Sequence, residues 1–340
     1  ERYYKYEEEN PKLIKFKQSD EIIKVMEEYI QNYTKKAKFT EEILNRELYI
    51  SKEKLNYYLN ERYSTIPLLE RIDEISDKIA EQTFRGNKSK AKQVRKWLKE
   101  RINISLDMKE IYRNFFTSKE FENAYPYQIS EAYLRKLDEK TISFEDACLF
   151  VYMKSLLQFL GNDYQIEQTI IDEAQDYNKL QYILLKKILK KSKFTILGDI
   201  NQTINPYYEY KSLEDLKEVF EGSNYLELTK TYRSSPEIIE HANKILNLNL
   251  VSAIRRDTKI PVIFRNKDNY KEQMIYDIET LKKKCKSIAI ITKTDTEAID
   301  IYKKLKPSFE ELTLITSGSK NFNRKLIVIP SYMSKGLEFD

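Results

Sequence analysis

The sequence predicts an α/β protein built on parallel sheets and interrupted by a large helical insertion. Three observations carry this. The β-branched run Thr169-Ile-Ile171 breaks directly into Asp172, Glu173 and Asp176; open α/β sheets keep their working groups at such strand ends. Residues 261 to 329 alternate apolar strand-like runs with helical patterns, as a parallel sheet requires. Residues 20 to 130 instead carry apolar side chains mostly at helical spacing.

In chain order, Pro11-Lys-Leu-Ile-Lys-Phe16 reads as a short strand. Ser19-Asp20 caps a helix with Ile22, Ile23, Met26, Tyr29, Ile30 and Tyr33 on one face. Leu48-Tyr-Ile50 is a short strand, and Leu55, Tyr58, Leu59 and Tyr63 form a helical stripe. Pro67 opens a helix through Ile79, and Gly86-Asn87 is a turn. From Arg85 to Arg101 there are eight Lys or Arg against one Glu, with Val94, Trp97, Leu98 and Ile102 sharing a face. This is either a solvated helix packed by its Trp face or a basic ridge, with Lys88, Lys92, Arg95 and Lys99, set against nucleic acid or an acidic protein surface. Met108 to Phe121 predicts one helix, Pro126 a loop, and Ser143 the start of a helix expected beside the Asp172 strand.

Further strands are predicted over Phe194–Leu197, Tyr225–Leu228, Pro261–Phe264, Ser287–Ile291, Leu312–Ile315 and Leu326–Ile329. Helices are predicted over 271–284 and through Ile299, Ile301, Tyr302 and Leu305. The polar stretch after Ile245 places a domain boundary near residues 246 to 258.

The chain has 340 residues, 59 basic and 54 acidic, so its net charge of +5 does not by itself indicate a nucleic-acid partner. Cys148 and Cys285 have no paired metal spacing and fit buried thiols in a reduced, cytoplasmic setting. His241 follows a helical pattern and reads as a helix-surface residue. No run approaches the ~18 apolar residues of a membrane span, so no membrane partner is expected.

The chemistry concentrates at three strand ends. Asp172 and Glu173 follow the first, Gly198-Asp-Ile-Asn-Gln202 the second, and Thr229-Lys-Thr-Tyr-Arg-Ser-Ser235 the third. A carboxylate there suits magnesium, held directly or through water, and a second suits deprotonation of an attacking water. An acidic first helical turn explains the same carboxylates without function. Adding an amide and a guanidinium assembles the parts of phosphoryl transfer.

Asp172-Glu-Ala-Gln-Asp176, Gly198-Asp-x-x-Gln202, Leu228-x-x-x-Tyr-Arg-Ser234 and Ser334-Lys-Gly-Leu-Glu-Phe-Asp340 resemble, in order, motifs II to V of the UvrD/Rep-type superfamily 1 helicases. The resemblance implies RecA-like, P-loop NTPase motor domains, with ATP and Mg2+ as cofactors. It implies Asp172 in the magnesium shell, Glu173 as general base, Gln202 at the γ-phosphate and the attacking water, Tyr232 stacked on the base, and Arg233 at the γ-phosphate. Gly336 and Glu338 would border the nucleotide, and Lys335 would touch a nucleic-acid backbone. None of the six glycines is spaced for G-x-x-x-x-G-K-[ST], so that loop is expected upstream of Glu1 and the chain reads as an internal fragment, inactive alone.

Finer details resemble the HelD-like branch of the family. After Gln202 the chain runs Thr-Ile-Asn-Pro206-Tyr-Tyr208, without the aromatic and Arg-rich stretch of DNA-unwinding members, and Ile329-Pro-Ser-Tyr-Met333 replaces their Thr-x-His. This branch implies ATP-driven release of bacterial RNA polymerase from nucleic acid. A 3′–5′ DNA helicase or translocase and a non-catalytic interaction module remain as alternatives. The implied organisation is 1–19 and 135–248 as the first motor domain, 20–134 as an inserted helical arm, and 249–340 as a second motor domain truncated after motif V.

Overall fold

The computed structural model describes residues 10–137, 142–160, 165–203, 212–247, 251–254, 259, 262–265, 268–316, 319 and 325–340. Contacts divide the chain into two units, Glu1–Asn224 and Tyr225–Asp340.

The first unit is mostly helical. It runs α1 (Pro11–Lys17), α2 (Asp20–Lys36), β1 (Ile43–Leu44), β2 (Tyr49–Ile50), α3 (Lys52–Tyr57) with a π-turn over Tyr58–Arg62, α4 (Leu68–Phe84), α5 (Lys88–Arg101), α6 (Met108–Phe115), α7 (Lys119–Ala124), α8 (Glu131–Lys136), α9 (Phe144–Leu157), β3 (Gln168–Ile171), α10 (Lys179–Ile188) and β4 (Lys193–Ile196).

Local chemistry explains these elements and two departures from expectation. The Pro11–Phe16 run is a helix, not a strand: Pro11 sits in the first helical turn and the Asn10 side chain accepts from the Lys12 N–H at 3.0 Å. The segment 108–121 is two helices, because Ser118 stops the first and caps the second, accepting from the Phe121 N–H at 3.2 Å. Helix α2 has Asp20 and Glu21 in its first turn and Lys35 and Lys36 in its last, matching its dipole, and buries Ile22, Met26 and Ile30 on one face.

One hydrophobic core runs from Leu13 and Phe16 through α2 to α9 and on to Leu180 and Leu184 of α10. The helices between residues 20 and 134 therefore share their core with α1, α9 and α10. In this core the Lys17 ammonium, 1% exposed, meets Asp146, 2% exposed, at 2.9 Å. The same carboxylate accepts from the hydroxyls of Tyr112 (2.8 Å), Tyr133 (2.7 Å) and Ser143 (2.8 Å).

Strands β3 and β4 are parallel, joined by α10 as the crossover, in a register that pairs Ile170 with Thr195 and Ile171 with Ile196. The start of α10 is fixed by a reciprocal capping box between Asn178 and Gln181. Lys179 beside it bonds Asp20 at 2.8 Å and Glu218 at 2.6 Å, linking the starts of α2 and α10. Burial lowers the Lys179 pKa, but the bonds to the two carboxylates outweigh it and the net shift is upward.

The second unit holds β5 (Lys230–Thr231), α11 (Pro236–Leu246), β6 (Ser252–Ala253), α12 (Tyr270–Leu281), β7 (Ile288–Thr292), α13 (Asp295–Leu305), β8 (Thr313–Leu314), β9 (Leu326–Pro330) and α14 (Ser331–Ser334). Strands β7, β9 and β8 form a parallel sheet in that order, with β9 buried along its whole length. Val328 packs with Ala298 and Leu305 of α13, while Ile327 and Ile329 pack with Ile315, Met333 and Leu337. Strand β5 pairs in parallel with β6, both within the second unit.

Two further predicted strands do not form among the described residues. Tyr225–Leu228 has no ladder partner among the described residues, and Leu226 and Leu228 are 85% and 87% exposed. Val262–Phe264 likewise joins no described sheet, and Pro261 lies outside the described residues. Apolar runs become strands only when a neighbouring backbone takes up their N–H and C=O groups. The architecture is thus mixed α/β, mostly helical, with small parallel sheets. His241 lies on α11, its ring 5.2 Å from that of Phe264.

Candidate functional site

The parallel register of β3 and β4 brings two predicted strand ends together. Beyond the paired Ile171 and Ile196, the Leu197 N–H donates to the Ile171 carbonyl at 2.8 Å and the Ala174 N–H to the Leu197 carbonyl at 2.9 Å. Asp172 and Glu173 emerge exposed at this edge, and the Asp172 carboxylate accepts from the Glu173 N–H at 2.9 Å. Glu173 has a left-handed backbone, φ 52° and ψ 44°, a region that non-glycine residues seldom occupy. Strain of this kind, on the order of 1–3 kcal/mol, persists where surrounding bonds over-determine it, often at functional sites.

Gln175, 1% exposed, supplies such bonds. Its Nε2 donates to Glu173 Oε2 at 2.7 Å, and its Oε1 accepts from the Asp199 N–H at 3.0 Å. Its carbonyl accepts from the Thr203 hydroxyl at 3.0 Å. The Asp199 carboxylate in turn accepts from the Asn201 N–H at 3.0 Å and from Gln202 Nε2 at 2.8 Å. Glu173 and Gln202, far apart in sequence, stand at the two ends of one hydrogen-bonded chain.

Gly198 makes this approach possible. A Cβ there would lie 2.7 Å from Gln175 Oε1 and 2.8 Å from the Ala174 Cβ. Overpacking at such a contact costs about 1–3 kcal/mol. Gly198→Ala is therefore expected to lower stability by about that much and to displace the Gln175 amide, and urea unfolding measures the loss. An unchanged unfolding midpoint would show that the two strand ends are not packed this closely.

In the second unit Tyr232 and Arg233 follow β5, with Tyr232 83% exposed. The Arg233 guanidinium donates to the Glu338 carboxylate. Gly336, at φ +75°, makes the turn after α14 that carries Lys335 and Glu338. The Asp340 carboxylate accepts from the N–H groups of Lys286 at 2.8 Å and Ser287 at 3.0 Å, which hold it below the usual carboxylate range.

On α5, Lys88, Lys92, Arg95 and Lys99 are all exposed. Arg95 is engaged with Asp73 of α4 at 2.6 and 2.7 Å, which commits this cation to helix packing.

Asp172 suits a metal that takes few protein ligands. Among the described residues no three His, Cys, Asp or Glu side chains cluster as a metal cage. Magnesium characteristically takes one or two carboxylates plus phosphates and water. For ATP the match is partial, since the chain has no G-x-x-x-x-G-K-[ST] loop to cradle phosphates. The segment after Thr203, including Pro206-Tyr-Tyr208, lies outside the described residues. Among them no helix is long and apolar enough to cross a membrane.

Sequence reasoning did not assign roles to Gln175, Gly198 or Asp199. Each stood in a quoted motif, but their contacts depend on the β3–β4 register.

Residues 2–212 match the UvrD/REP helicase N-terminal domain. The chain belongs to this family. Similar UvrD/REP relatives include the ATP-dependent DNA helicase srs2 of Schizosaccharomyces pombe, 31% identical over 38% of this chain and 15% of the relative. The ATP-dependent DNA helicase Rep of Buchnera aphidicola is 26% identical over 67% of this chain and 34% of its own length. The ATP-dependent DNA helicase PcrA of Staphylococcus epidermidis is 24% identical over 62% of this chain and 31% of its own. The chain thus spans about a third or less of each of these UvrD/REP relatives.

Proposed function

We propose that this chain is the ATP-hydrolysing part of a DNA helicase-type motor, a hydrolase whose cofactors are ATP and Mg2+. The observation that carries the reading is the juxtaposition of Asp172 and Glu173 with the Gln202 turn across the β3–β4 pair. Family membership and the helicase names of the relatives support it. Glu173 takes a proton from water as the water oxygen bonds to the γ-phosphorus; the bond to the β–γ bridging oxygen breaks and ADP leaves with its electron pair. Gln202 orients that water and the γ-phosphate. Arg233 neutralises charge on the transferring group, Tyr232 stacks on the base, and Gly336 and Glu338 border the nucleotide. Asp172 would hold magnesium, which when bound neutralises phosphate charge.

In this reading residues 1–19 and 135–248 belong to a first RecA-like domain, 20–134 to its helical insertion and 249–340 to a second. Lys88, Lys92, Lys99 and Lys335 are assigned to phosphate or partner contacts. The test uses the full-length gene product with ATP, Mg2+ and a 3′-tailed DNA duplex. The expected result is ATP hydrolysis stimulated by single-stranded DNA, strand separation, and binding that weakens steeply with salt.

A second reading, release of RNA polymerase by a HelD-like motor, is favoured by one feature: the Thr203-to-Tyr208 stretch lacks the stacking and Arg-rich pattern of DNA-unwinding members. Polymerase release without strand separation would select it. The absence of any ATP hydrolysis with either partner would overturn both.

A further inference from the structure

The Gln175 amide is buried, yet it faces two groups of the candidate site. Its orientation is fixed by chemistry. The Asp199 N–H, 3.0 Å away, is a donor only, so the amide oxygen must face it. The amide nitrogen therefore faces Glu173 Oε2, at 2.7 Å, and donates to it. The acceptor is a carboxylate, which makes this a charge-assisted bond, stronger than a neutral one.

The surroundings leave this side chain little freedom. Gln175 lies in a 3-10 turn, Ala174–Asp176, whose preceding residue, Glu173, is left-handed. Its carbonyl is taken by Thr203 Oγ1 at 3.0 Å. Gly198 leaves the space in which its Oε1 sits. An amide held this way fixes the rotamer of the carboxylate it touches, and the same amide is bonded to the backbone that carries Asp199 and, through the Asp199 carboxylate, Gln202.

We propose that Gln175 is a positioning residue: it aims the Glu173 carboxylate and ties its position to that of Gln202, so that the proton acceptor and the γ-phosphate contact move as one unit. The inference rests on the general-base assignment of Glu173. Gln175 does not touch substrate in this arrangement; its effect on the reaction passes through Glu173. A group misplaced by about 1 Å loses on the order of 10²-fold in rate, which sets the scale for a positioning residue.

Two substitutions separate positioning from mere packing. Gln175→Leu removes both bonds at similar volume. Gln175→Met likewise removes both bonds at similar volume and adds no charge beside Glu173. The measurement is steady-state ATP hydrolysis by the full-length protein with Mg2+ and single-stranded DNA, with thermal melting as the folding control. Both variants are expected to lower kcat about 10- to 100-fold while leaving KM for ATP within about threefold. If Gln175→Leu does not fold, Gln175→Met alone decides.

In the Glu173→Gln background, adding Gln175→Met is expected to cause no further loss, because the two residues act as a unit. Wild-type kcat in a folded Gln175→Leu or Gln175→Met would overturn the proposal. So would a full additional loss in the double variant, which would show an effect independent of Glu173. These outcomes are distinct from failure of the underlying reading: if Glu173→Gln itself hydrolyses ATP at the wild-type rate, the general-base assignment falls and the positioning proposal falls with it.

Discussion

Asp146→Ala is expected to destabilise the first unit by about 3–5 kcal/mol, the range for breaking a buried ion pair by removing one partner. The substitution leaves the Lys17 ammonium, 1% exposed, without the carboxylate that faces it at 2.9 Å. It also takes away the acceptor of the Tyr112, Tyr133 and Ser143 hydroxyls. These groups come from α1, α6, α8 and the start of α9, so the loss should be felt across the whole core and not as local fraying. Urea unfolding checks it: the midpoint should fall with the slope unchanged. A loss below about 1 kcal/mol would mean that the hub is hydrated and behaves as a surface pair.

The same hub has a pH signature. Burial pushes the Asp146 carboxyl up, but Lys17 and the hydrogen bonds from Tyr133, Lys17 and Tyr112 outweigh burial and hold it below its ordinary value. A carboxyl depressed in the folded state contributes stability that is fully present above its unfolded pKa, about 3.9. That contribution is lost as the pH falls through the lower, folded value. Stability should therefore decline on acidification below about pH 4 more steeply than in Asp146→Ala.

How much of this was legible in sequence depended on whether the signal was local. The acid-ended strand Thr169–Ile171 and the partner strand beginning near Phe194 were visible as continuous apolar runs, although Ile171 is the one buried residue of the β3–β4 pair. Strand β9, buried at every position, was visible for the same reason. The Pro11 helix was misread because its four apolar residues suit either period, and the deciding signal was the Asn10-Pro11 cap. The Tyr225–Leu228 strand failed because strand formation needs a partner that the segment's own sequence does not specify. The Lys17–Asp146 pair lies 129 residues apart in the chain, beyond any local pattern. Gln175 was in plain view within Asp172-Glu-Ala-Gln-Asp176, but its role follows only from the register that sets the Leu197–Asp199 backbone beside it.

The family resemblance read from four ordered motifs agrees with the match over residues 2–212. The finer HelD-like assignment rests on the stretch after Gln202 and the run before Ser334, whereas srs2, Rep and PcrA carry DNA helicase names.

The proposed function turns on whether the carboxylate at the end of β3 takes the proton of the water that attacks ATP. Its most direct measurement is single-turnover ATP hydrolysis by the full-length protein, wild type against Glu173→Gln, with nucleotide binding measured in parallel. Glutamine keeps the size and hydrogen-bonding reach of the side chain but cannot act as a base at neutral pH. ATP binding is expected within about threefold of wild type and hydrolysis slowed by roughly two to four orders of magnitude, about 3–5 kcal/mol of transition-state stabilisation. Hydrolysis at the wild-type rate by Glu173→Gln would contradict it.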